Sequence, residues 1–339
     1  VFNEILNTTY WEYNNKFSEI ENILIGDSIG FGVGDEYWEG KKKFSISSKI
    51  NEDIVNLSKE GSGSIQNITR TLKTKNILEK SYLLNKFKKI NNVIYFVYEG
   101  NDFLEDYLYI KSKKLTKKNH IHQHIKEQSN KTFEIFFKGY FFGYDFLINY
   151  LTSQKFLTAL NRKLGKNKKT NNSNQLSVIM SNNKQCKFNI IKNLHYEVCY
   201  DAQEFAPYYL NDVQKSLSLL ALETSLNELK KSFYSSNIYL VYLPSPVTAN
   251  SDEYLNRVWG WNAYEGTFSV DIEKNKISSN YFKNATKKIA KQENIVFIDM
   301  TSDLINLSKK KNVNGLLDTN HYSKHANELI ATKIEELIK

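Results

Sequence analysis

Proline, cysteine and long apolar runs are scarce in this chain of 339 residues. It has three prolines and two cysteines, and no uninterrupted apolar stretch approaches the roughly 18–20 residues of a membrane-spanning helix. We therefore expect that the chain as given does not cross a bilayer. Disorder is excluded for most of its length, because 41% hydrophobic and 14% aromatic residues supply far more apolar surface than unfolded chains carry.

The net charge of +9 is concentrated in one internal segment. Residues 103–210 contain 17 lysines and arginines against 8 acidic residues, whereas the remainder of the chain contains 29 of each. Such a segment indicates a solvated lysine-rich surface or a site for an acidic polysaccharide. We expect no nucleic-acid partner, because no recognised nucleic-acid-binding motif accompanies the charge.

Both cysteines, Cys186 and Cys199, lie in this basic segment. A disulfide between them would imply an oxidising compartment, and the alternative is two free buried thiols. The chain begins at Val1 rather than at a methionine, so the lack of a signal peptide does not argue against export. We expect an exported protein, in the periplasm or at the cell surface, with a tether upstream of Val1 as one option.

Short apolar runs alternating with helical patterns predict an α/β fold. The runs are continuous rather than alternating, which is typical of parallel strands covered on both faces. The prediction is a three-layer, doubly wound, flavodoxin-like parallel sheet of about five strands with helices on both faces. The predicted strands are 22–26, 54–57, 93–98, 238–243 and 295–299, and the predicted helices are 213–233, 279–292 and 323–338.

The domain prediction has three parts. Residues 1–20 form an N-terminal extension, and residues 21–102 and 211–339 together form the α/β domain. Residues 103–210 interrupt it as an insertion or lid, because they separate the third strand from the next helical pattern by far more than an ordinary loop. Its aromatic-rich stretch, 132–160, predicts a buried lid or a segment that docks on a membrane surface.

The first predicted strand runs directly into Gly26-Asp27-Ser28. Ligands of doubly wound sheets bind at the carboxyl ends of the strands, which is where this serine lies. Its backbone N–H could also point at a carbonyl oxygen of a bound ligand, favoured by a helix that starts there. The alternative is an ordinary serine cap between a strand and a helix.

Two further strand ends carry groups of the same kind. Gly61, in the loop after the second strand, could offer an N–H without side-chain obstruction, with Gly63 as the alternative. The side-chain amide of Asn101, after the third strand, could donate a hydrogen bond to a ligand, and Asp102 could hold the loop in place. The alternative is that the two residues form a simple turn.

Asp318-Thr319-Asn320-His321 precedes the last predicted helix. His321 could accept a proton from Ser28, and Asp318 could orient the imidazole and stabilise its positive charge. The alternative is a helix cap followed by a histidine in the first turn.

Taken in order, these four blocks resemble the SGNH (GDSL-type) hydrolase superfamily. The resemblance covers about residues 20–102 and 211–339. It implies an enzyme with Ser28 as nucleophile and with Asp318 and His321 completing the catalytic triad. The implied oxyanion-hole donors are the Ser28 N–H, the Gly61 N–H and the Asn101 amide. The sequence departs from the family at Glu99, which stands where the third block usually has glycine.

Residues 26–36, with Leu243-Pro244-Ser245-Pro246, are similar to the branch of that superfamily that modifies acyl groups on surface or exopolysaccharide sugars. The implied function is an O-acetylesterase or O-acetyltransferase that acts on a cell-surface or secreted glycan through an acyl-serine. Its partners would be a glycan or acyl-ester substrate and a membrane acyl-donor protein. The alternatives are a lipid or small-ester hydrolase with an apolar lid, and a non-catalytic glycan-binding or assembly protein on the same fold.

Four residues are candidate substrate contacts: Glu99, Tyr254, Trp259 and Trp261. Aromatic faces suit stacking on sugar rings, and the alternative is local core packing. His120, His122 and His124 would lie on one face, as a metal site requires, only if this segment were an extended strand. The favoured interpretation is a solvated loop. We expect no metal and no cofactor.

Overall fold

The structure is a computed structural model that describes residues 21–39, 45–50, 54–80, 90–141, 189–192, 197–255, 257–262, 266–316 and 318–338. Side chains at 35, 38, 77–80, 131–141 and 197–200 lie outside this description. The predicted extension 1–20, the predicted bridge between Cys186 and Cys199, and most of the aromatic stretch 132–160 therefore lie outside the described residues.

Nine strands occur in the described part of the chain. They are β1 (Asn22–Ile25), β2 (Ile54–Asn56), β3 (Asn92–Tyr98), β4 (Asn189–Lys192), β5 (Glu197–Tyr200), β6 (Asn237–Leu243), β7 (Trp259–Asn262), β8 (Gly266–Ser269) and β9 (Val296–Asp299). Five of them form one sheet in the order β2-β1-β3-β6-β9, and every pair in it is parallel. β4 with β5, and β7 with β8, form two small antiparallel hairpins.

The described helices are α1 (Ser28–Phe31), α2 (Asp35–Trp38), α3 (Ser64–Lys80), α4 (Asp102–Lys113), α5 (Lys118–Phe141), α6 (Asp212–Ser232), α7 (Pro246–Ala249), α8 (Ile272–Gln292), α9 (Thr301–Ser308) and α10 (Lys324–Ile338). α6 and α10 match the predicted helices to within one residue. α8 begins seven residues earlier than predicted, because the side chain of Asp271 caps it by accepting from the Lys274 N–H.

The three central strands, β1, β3 and β6, bury both faces over most of their length, which explains their continuous apolar runs. Along β3 every residue is buried; Val93, Tyr95 and Val97 face one core, and Ile94, Phe96 and Tyr98 face the other. Helices α3, α4, α5, α6 and α8 contribute to the first core, and α9 and α10 to the second. The predicted three-layer α/β fold with a five-stranded parallel sheet is confirmed, and it is consistent with a flavodoxin-like fold.

The predicted insertion begins too early. α4 follows β3 directly and, like α3, is not among the predicted helices; its Phe103 and Ile110 are fully buried in the first core. Ile121 and Ile125 of α5 are buried there as well. Residues 103–130 therefore form part of a helical layer of the domain, not a separate lid. In the described ranges, no helix is both long enough and apolar enough to span a membrane.

Three asparagines form a ladder across the amino ends of the central strands. Asn22, Asn92 and Asn237 are in register on β1, β3 and β6. The Asn92 amide donates to Asn22 Oδ1 at 2.8 Å, and the Asn237 amide donates to Asn92 Oδ1 at 3.1 Å. Asn92 is buried, so both of its bonds are made where water cannot replace them easily.

We predict that Asn92→Leu lowers the free energy of unfolding by about 1–3 kcal/mol, because it removes the hydrogen bond to the buried Asn22 and the hydrogen bond from Asn237. Urea denaturation measures the change. The control is Asn91→Ala, whose amide bond to Glu21 is solvent-exposed, and which we expect to change stability by less than about 0.5 kcal/mol. Equal losses in the two variants would contradict this role for the ladder.

Candidate functional site

Three residues predicted as functional come together at the carboxyl edge of the sheet. The Nε2 atom of His321 lies 2.9 Å from the Ser28 Oγ, and its Nδ1 atom lies 2.8 Å from the Asp318 Oδ1. The carboxylate next to Nδ1 favours the tautomer that carries its proton there, and in that tautomer the Nε2 lone pair faces the serine hydroxyl. This arrangement allows a proton to pass from Ser28 to His321.

Hydrogen bonds to two side chains, and a glycine with a left-handed backbone, hold the turn that presents Ser28. Asp27 is fully buried, and its Oδ1 accepts from the Ile29 N–H at 2.9 Å. Gly32 ends α1 with a left-handed φ of +96°, and a Cβ there would collide with the Ser45 backbone. Arg70 of α3 reaches across to donate to the Leu57 carbonyl at 3.2 Å and to the Gly26 carbonyl at 3.4 Å. One guanidinium therefore ties the ends of β1 and β2 together.

The loop that carries His321 is packed against the Ser28 loop. A Cβ on Gly34 would come within 2.8 Å of the Tyr322 carbonyl oxygen, so only glycine permits this approach. The buried Tyr322 hydroxyl donates to the Pro244 carbonyl at 2.5 Å, which fixes the loop to the end of β6. The loop that carries the imidazole is thus fixed both to the Ser28 loop and to the end of β6.

The electrostatic surroundings favour a positive charge on His321. Burial lowers its pKa, but the hydrogen bond and charge of Asp318, together with the charges of Glu204 and Asp27, outweigh burial and raise the pKa above the ordinary 6.5. The pKa of Asp27 is itself raised, mainly by burial. A raised His321 pKa means that the neutral imidazole, the form that can accept a proton, predominates only at pH values above it.

Ser28 and His321 open into a cavity of about 340 Å³, large enough for a small ligand. The described residues that line it are Ser28, Val33, Glu60, Gly100, Asn101, Leu104, Glu105, Glu204, Trp261, Asn262, Asp318, Asn320 and His321. Ser28 itself is only 7% exposed, so a substrate would reach it through this cavity.

Of the predicted oxyanion donors, Ser28 and Asn101 line the cavity, whereas Gly61 lies one residue beyond its wall at Glu60. Asn101 precedes α4 without capping it, and within the described residues its buried Oδ1 has no hydrogen-bond partner; the donor role of its amide nitrogen remains a prediction. Gly61 has a left-handed φ of +63°. The Gly63 N–H donates to Gln66 and is engaged elsewhere. The Gly61 N–H remains a prediction, and Gly61 is a better candidate than Gly63.

Asp102 has the role predicted for it. Its Oδ2 accepts from the Tyr98 N–H at 2.8 Å, which ties the end of β3 to the first turn of α4. The carboxyl is fully enclosed, and burial raises its pKa well above the ordinary 3.8.

Two acidic residues of the cavity wall, Glu105 and Glu204, were missed by the sequence analysis. Burial, with neighbouring negative charges, raises the pKa of Glu105 to about 8. Burial also raises the pKa of Glu204 to about 7, although the charge of His321 opposes it. Glu105 follows the Asn101 block by one helical turn, a spacing that could have identified it. Glu204 stands in the segment that was predicted to be an insertion, where no motif marks it.

Three aromatic residues, Tyr254, Trp259 and Trp261, were predicted to contact the substrate, and one of these three lines the cavity. Trp261 lines it. Trp259, on the same strand, packs against the Arg257 guanidinium, with 4.9 Å from the guanidinium carbon to the ring centroid. Tyr254 donates to Gln203 Oε1 at 2.6 Å and packs against a small apolar cluster. The predicted substrate contacts at Trp259 and Tyr254 are therefore wrong for this cavity.

Glu99 is also not a substrate contact. It is fully buried and accepts from four hydroxyls: Tyr242 at 2.7 Å, Ser245 at 2.8 Å, Ser279 at 2.6 Å, and Thr248. Its carboxylate points into the domain, away from the cavity. Glu99 therefore has a structural role in the interior, where its hydrogen bonds join the end of β3 to β6, α7 and α8.

The histidine triplet lies on helix α5 and not in the expected solvated loop. His122 pairs with Glu228 at 2.7 Å, and His124 Nε2 lies 2.8 Å from the Tyr109 hydroxyl. In the part of the chain that the structure describes, no group of three or more His, Cys, Asp or Glu side chains could hold a metal ion. His325 is surface-exposed, 3.7 Å from Glu328.

No family model matches the chain, and no curated protein matches it significantly. The geometry of the site therefore carries the functional argument.

We predict that the imidazole of His321 titrates above pH 6.5, and that Asp318→Asn lowers this pKa because it removes the nearest negative charge. Imidazole resonances followed by NMR through a pH titration measure both values. Asp303→Asn, an exposed acid on α9, is the control and should leave the His321 titration unchanged. An Asp318→Asn titration identical to that of the wild type would contradict the pairing.

Proposed function

We propose that this protein is a serine-dependent ester enzyme of the SGNH type, acting on acyl groups, most simply acetyl groups, of a glycan. The observation that carries the proposal is the chain of contacts from Ser28 Oγ through His321 to Asp318 at the wall of a cavity. A non-catalytic glycan-binding protein would not require a serine, a histidine and a carboxylate in this geometry.

The proposed mechanism begins with attack of the Ser28 Oγ on an ester carbonyl while His321 Nε2 accepts the hydroxyl proton. Asp318 stabilises the imidazolium that forms. The oxyanion would be held by the Ser28 N–H, the Asn101 amide and the Gly61 N–H, each such donor being worth about 2.7–4 kcal/mol in the transition state. His321 then returns the proton to the departing alcohol oxygen, which leaves an acyl-serine.

Release of the acyl group repeats these steps in reverse with a new nucleophile. His321 takes a proton from water in hydrolysis or from a sugar hydroxyl in transfer, and the tetrahedral adduct collapses to free Ser28. Both outcomes use the same residues. We therefore propose that the protein is an O-acetylesterase or an O-acetyltransferase. A membrane acyl-donor protein would be a partner only of the transferase. An exported location remains part of the proposal.

The size of the cavity favours a short acyl ester over a long-chain lipid ester. Its volume of about 340 Å³ suits a short acyl group with part of a sugar. A long-chain ester would need an extended apolar channel. The lipid-hydrolase alternative is therefore not favoured.

The charge of the cavity favours a neutral or amine-bearing sugar over an acidic one. Its described lining includes four carboxyl groups, Glu60, Glu105, Glu204 and Asp318, and contains no lysine or arginine. Glu105 and Glu204, with pKa values of about 8 and about 7, are in large part protonated at neutral pH, so an anionic sugar is disfavoured mainly because no lysine or arginine of the described lining could pair with it. The described lysines and arginines of the basic segment, residues 103–210, therefore do not line this cavity and would not attract an acidic polysaccharide into it.

The proposal is tested by acetate release from O-acetylated neutral oligosaccharides, compared with an O-acetylated uronic-acid oligomer and a long-chain aryl ester. We expect turnover of the neutral sugar ester, abolished by Ser28→Ala. Selective turnover of the long-chain ester would instead support a lipase. Binding of the sugar without turnover by folded wild-type protein would support a binding protein.

Trp261 and Trp259 form a matched pair for the sugar contact. We predict that Trp261→Ala raises KM for the sugar ester by about 2- to 12-fold, because a stacked aromatic contact is worth about 0.5–1.5 kcal/mol beyond its buried area. Trp259→Ala, on the same strand but outside the cavity, should leave KM within about twofold. Steady-state kinetics on both variants, with a small aryl acetate as a second substrate, measure the difference. Equal effects in the two variants would indicate packing of the hairpin instead.

A further inference from the structure

The two residues between Asp318 and His321 are bound by a segment that the sequence analysis assigned to the insertion. The Gln203 Nε2 donates to the Thr319 carbonyl at 3.1 Å, and the Glu204 N–H donates to the Asn320 Oδ1 at 2.8 Å. The loop that sets the distance between the carboxylate and the imidazole is therefore held by two hydrogen bonds from residues 203 and 204.

The same segment is bound on its other side to the hairpin that forms a wall of the cavity. The Gln203 N–H donates to the Trp259 carbonyl at 3.0 Å, and the Trp261 N–H donates to the Gln203 carbonyl at 2.9 Å. These bonds make Gln203 a parallel bridge partner of Gly260. Gln203 thus stands between the strand that carries Trp261 and the loop that carries His321.

The orientation of the Gln203 amide is fixed by its partners. The Thr319 carbonyl can only accept, so the amide nitrogen must face it. The amide oxygen then faces the Tyr254 hydroxyl, which donates to it at 2.6 Å. Gln203 is fully buried, and all four of its polar groups are paired within this arrangement. Such a satisfied buried group is rigid, and losing one partner leaves another unpaired.

We propose that Gln203 is a positioning residue for His321, and that it links the Trp261 wall of the cavity to the Asp318–His321 loop. This inference rests on the proposed function. A ligand that presses on the wall would act on the backbone of residue 203 and, through the amide, on the Thr319 carbonyl. The bond between Ser28 and His321 would then depend on a residue that touches neither of them.

The sharpest variants retain the size of the side chain and remove its donor. Gln203→Glu places a carboxylate oxygen against the Thr319 carbonyl, and Gln203→Met fills the space without a hydrogen bond. We expect either one to slow labelling of Ser28 by a small fluorophosphonate by about 10- to 100-fold, since a misplacement of about 1 Å at a reacting group can cost about 100-fold. Intact mass against time gives the labelling rate. Tyr254→Phe keeps the bond to Thr319 but removes the donor that fixes the Gln203 amide oxygen, so it should slow labelling by a smaller factor of about two- to fivefold.

Asn92→Leu is the matched control, because it breaks buried amide bonds at the opposite edge of the sheet. It should lower the unfolding temperature and leave the labelling rate of the folded protein unchanged. Labelling of folded Gln203→Met at the wild-type rate would overturn the inference. If Gln203→Glu and Gln203→Met fail to fold, Tyr254→Phe decides, and a wild-type rate there would count against the link.

A failure of the proposed function would be distinguishable. If folded wild-type protein is not labelled at all, the ester chemistry is wrong, and the link is then judged by the NMR titration of His321. A His321 pKa that is the same in Gln203→Met and wild type would overturn the positioning role, and a shifted pKa would support it without any activity.

Discussion

The hydrogen bond between Ser28 and His321 joins residues that are 293 positions apart in the chain. It is possible only because β1 and the segment before α10 meet at one edge of a parallel sheet, where all five strands end. The close approach of Gly34 to the Tyr322 carbonyl brings the two loops together. Most other features of the site either hold one of these loops or line the space between them.

Much of the support for this contact is buried and charged. Asp27 and Asp102 are enclosed near the Ser28 turn, which Arg70 also reaches, and Asp106 is enclosed against the start of α3. Burial lowers the pKa of Arg70 to about 10 and raises the pKa of Asp106 to about 7. Each group makes hydrogen bonds that replace water, such as the bond from the Ser64 hydroxyl to Asp106 at 2.5 Å. The charges that act on the imidazole itself are those of Asp318, Glu204 and Asp27, and they stabilise the protonated state that the proposed mechanism passes through.

The sequence allowed the sheet and the strand-end residues to be predicted for a physical reason. Buried parallel strands are apolar throughout, and in such sheets the polar residues that follow them collect at one edge, so Ser28 and Asn101 could be placed there without coordinates. His321 does not directly follow a strand of the described residues, and its role was predicted from the resemblance of the four blocks to the SGNH hydrolases. Glu99 was assigned wrongly because a motif position does not show which way a side chain points at the end of a strand. The direction depends on four hydroxyls from distant segments, such as Ser279 on α8.

The residues that sequence reasoning missed lack a local pattern. Glu204 and Gln203 follow a long basic stretch and act through contacts with Asn320 and Thr319, more than a hundred positions away. Nothing in the neighbouring residues signals such a contact. The helix α4 was missed for a different reason, since its charged residues obscured the buried face formed by Phe103 and Ile110.

The most direct measurement of the central claim, that Ser28 is a nucleophile activated by His321, is peptide mapping by mass spectrometry after treatment with a fluorophosphonate. The account predicts one adduct, located on Ser28, that forms in wild-type protein and is absent in Ser28→Ala. It also predicts that the adduct forms far more slowly in His321→Ala. An unmodified Ser28 in folded wild-type protein, or an equal rate without His321, would contradict it.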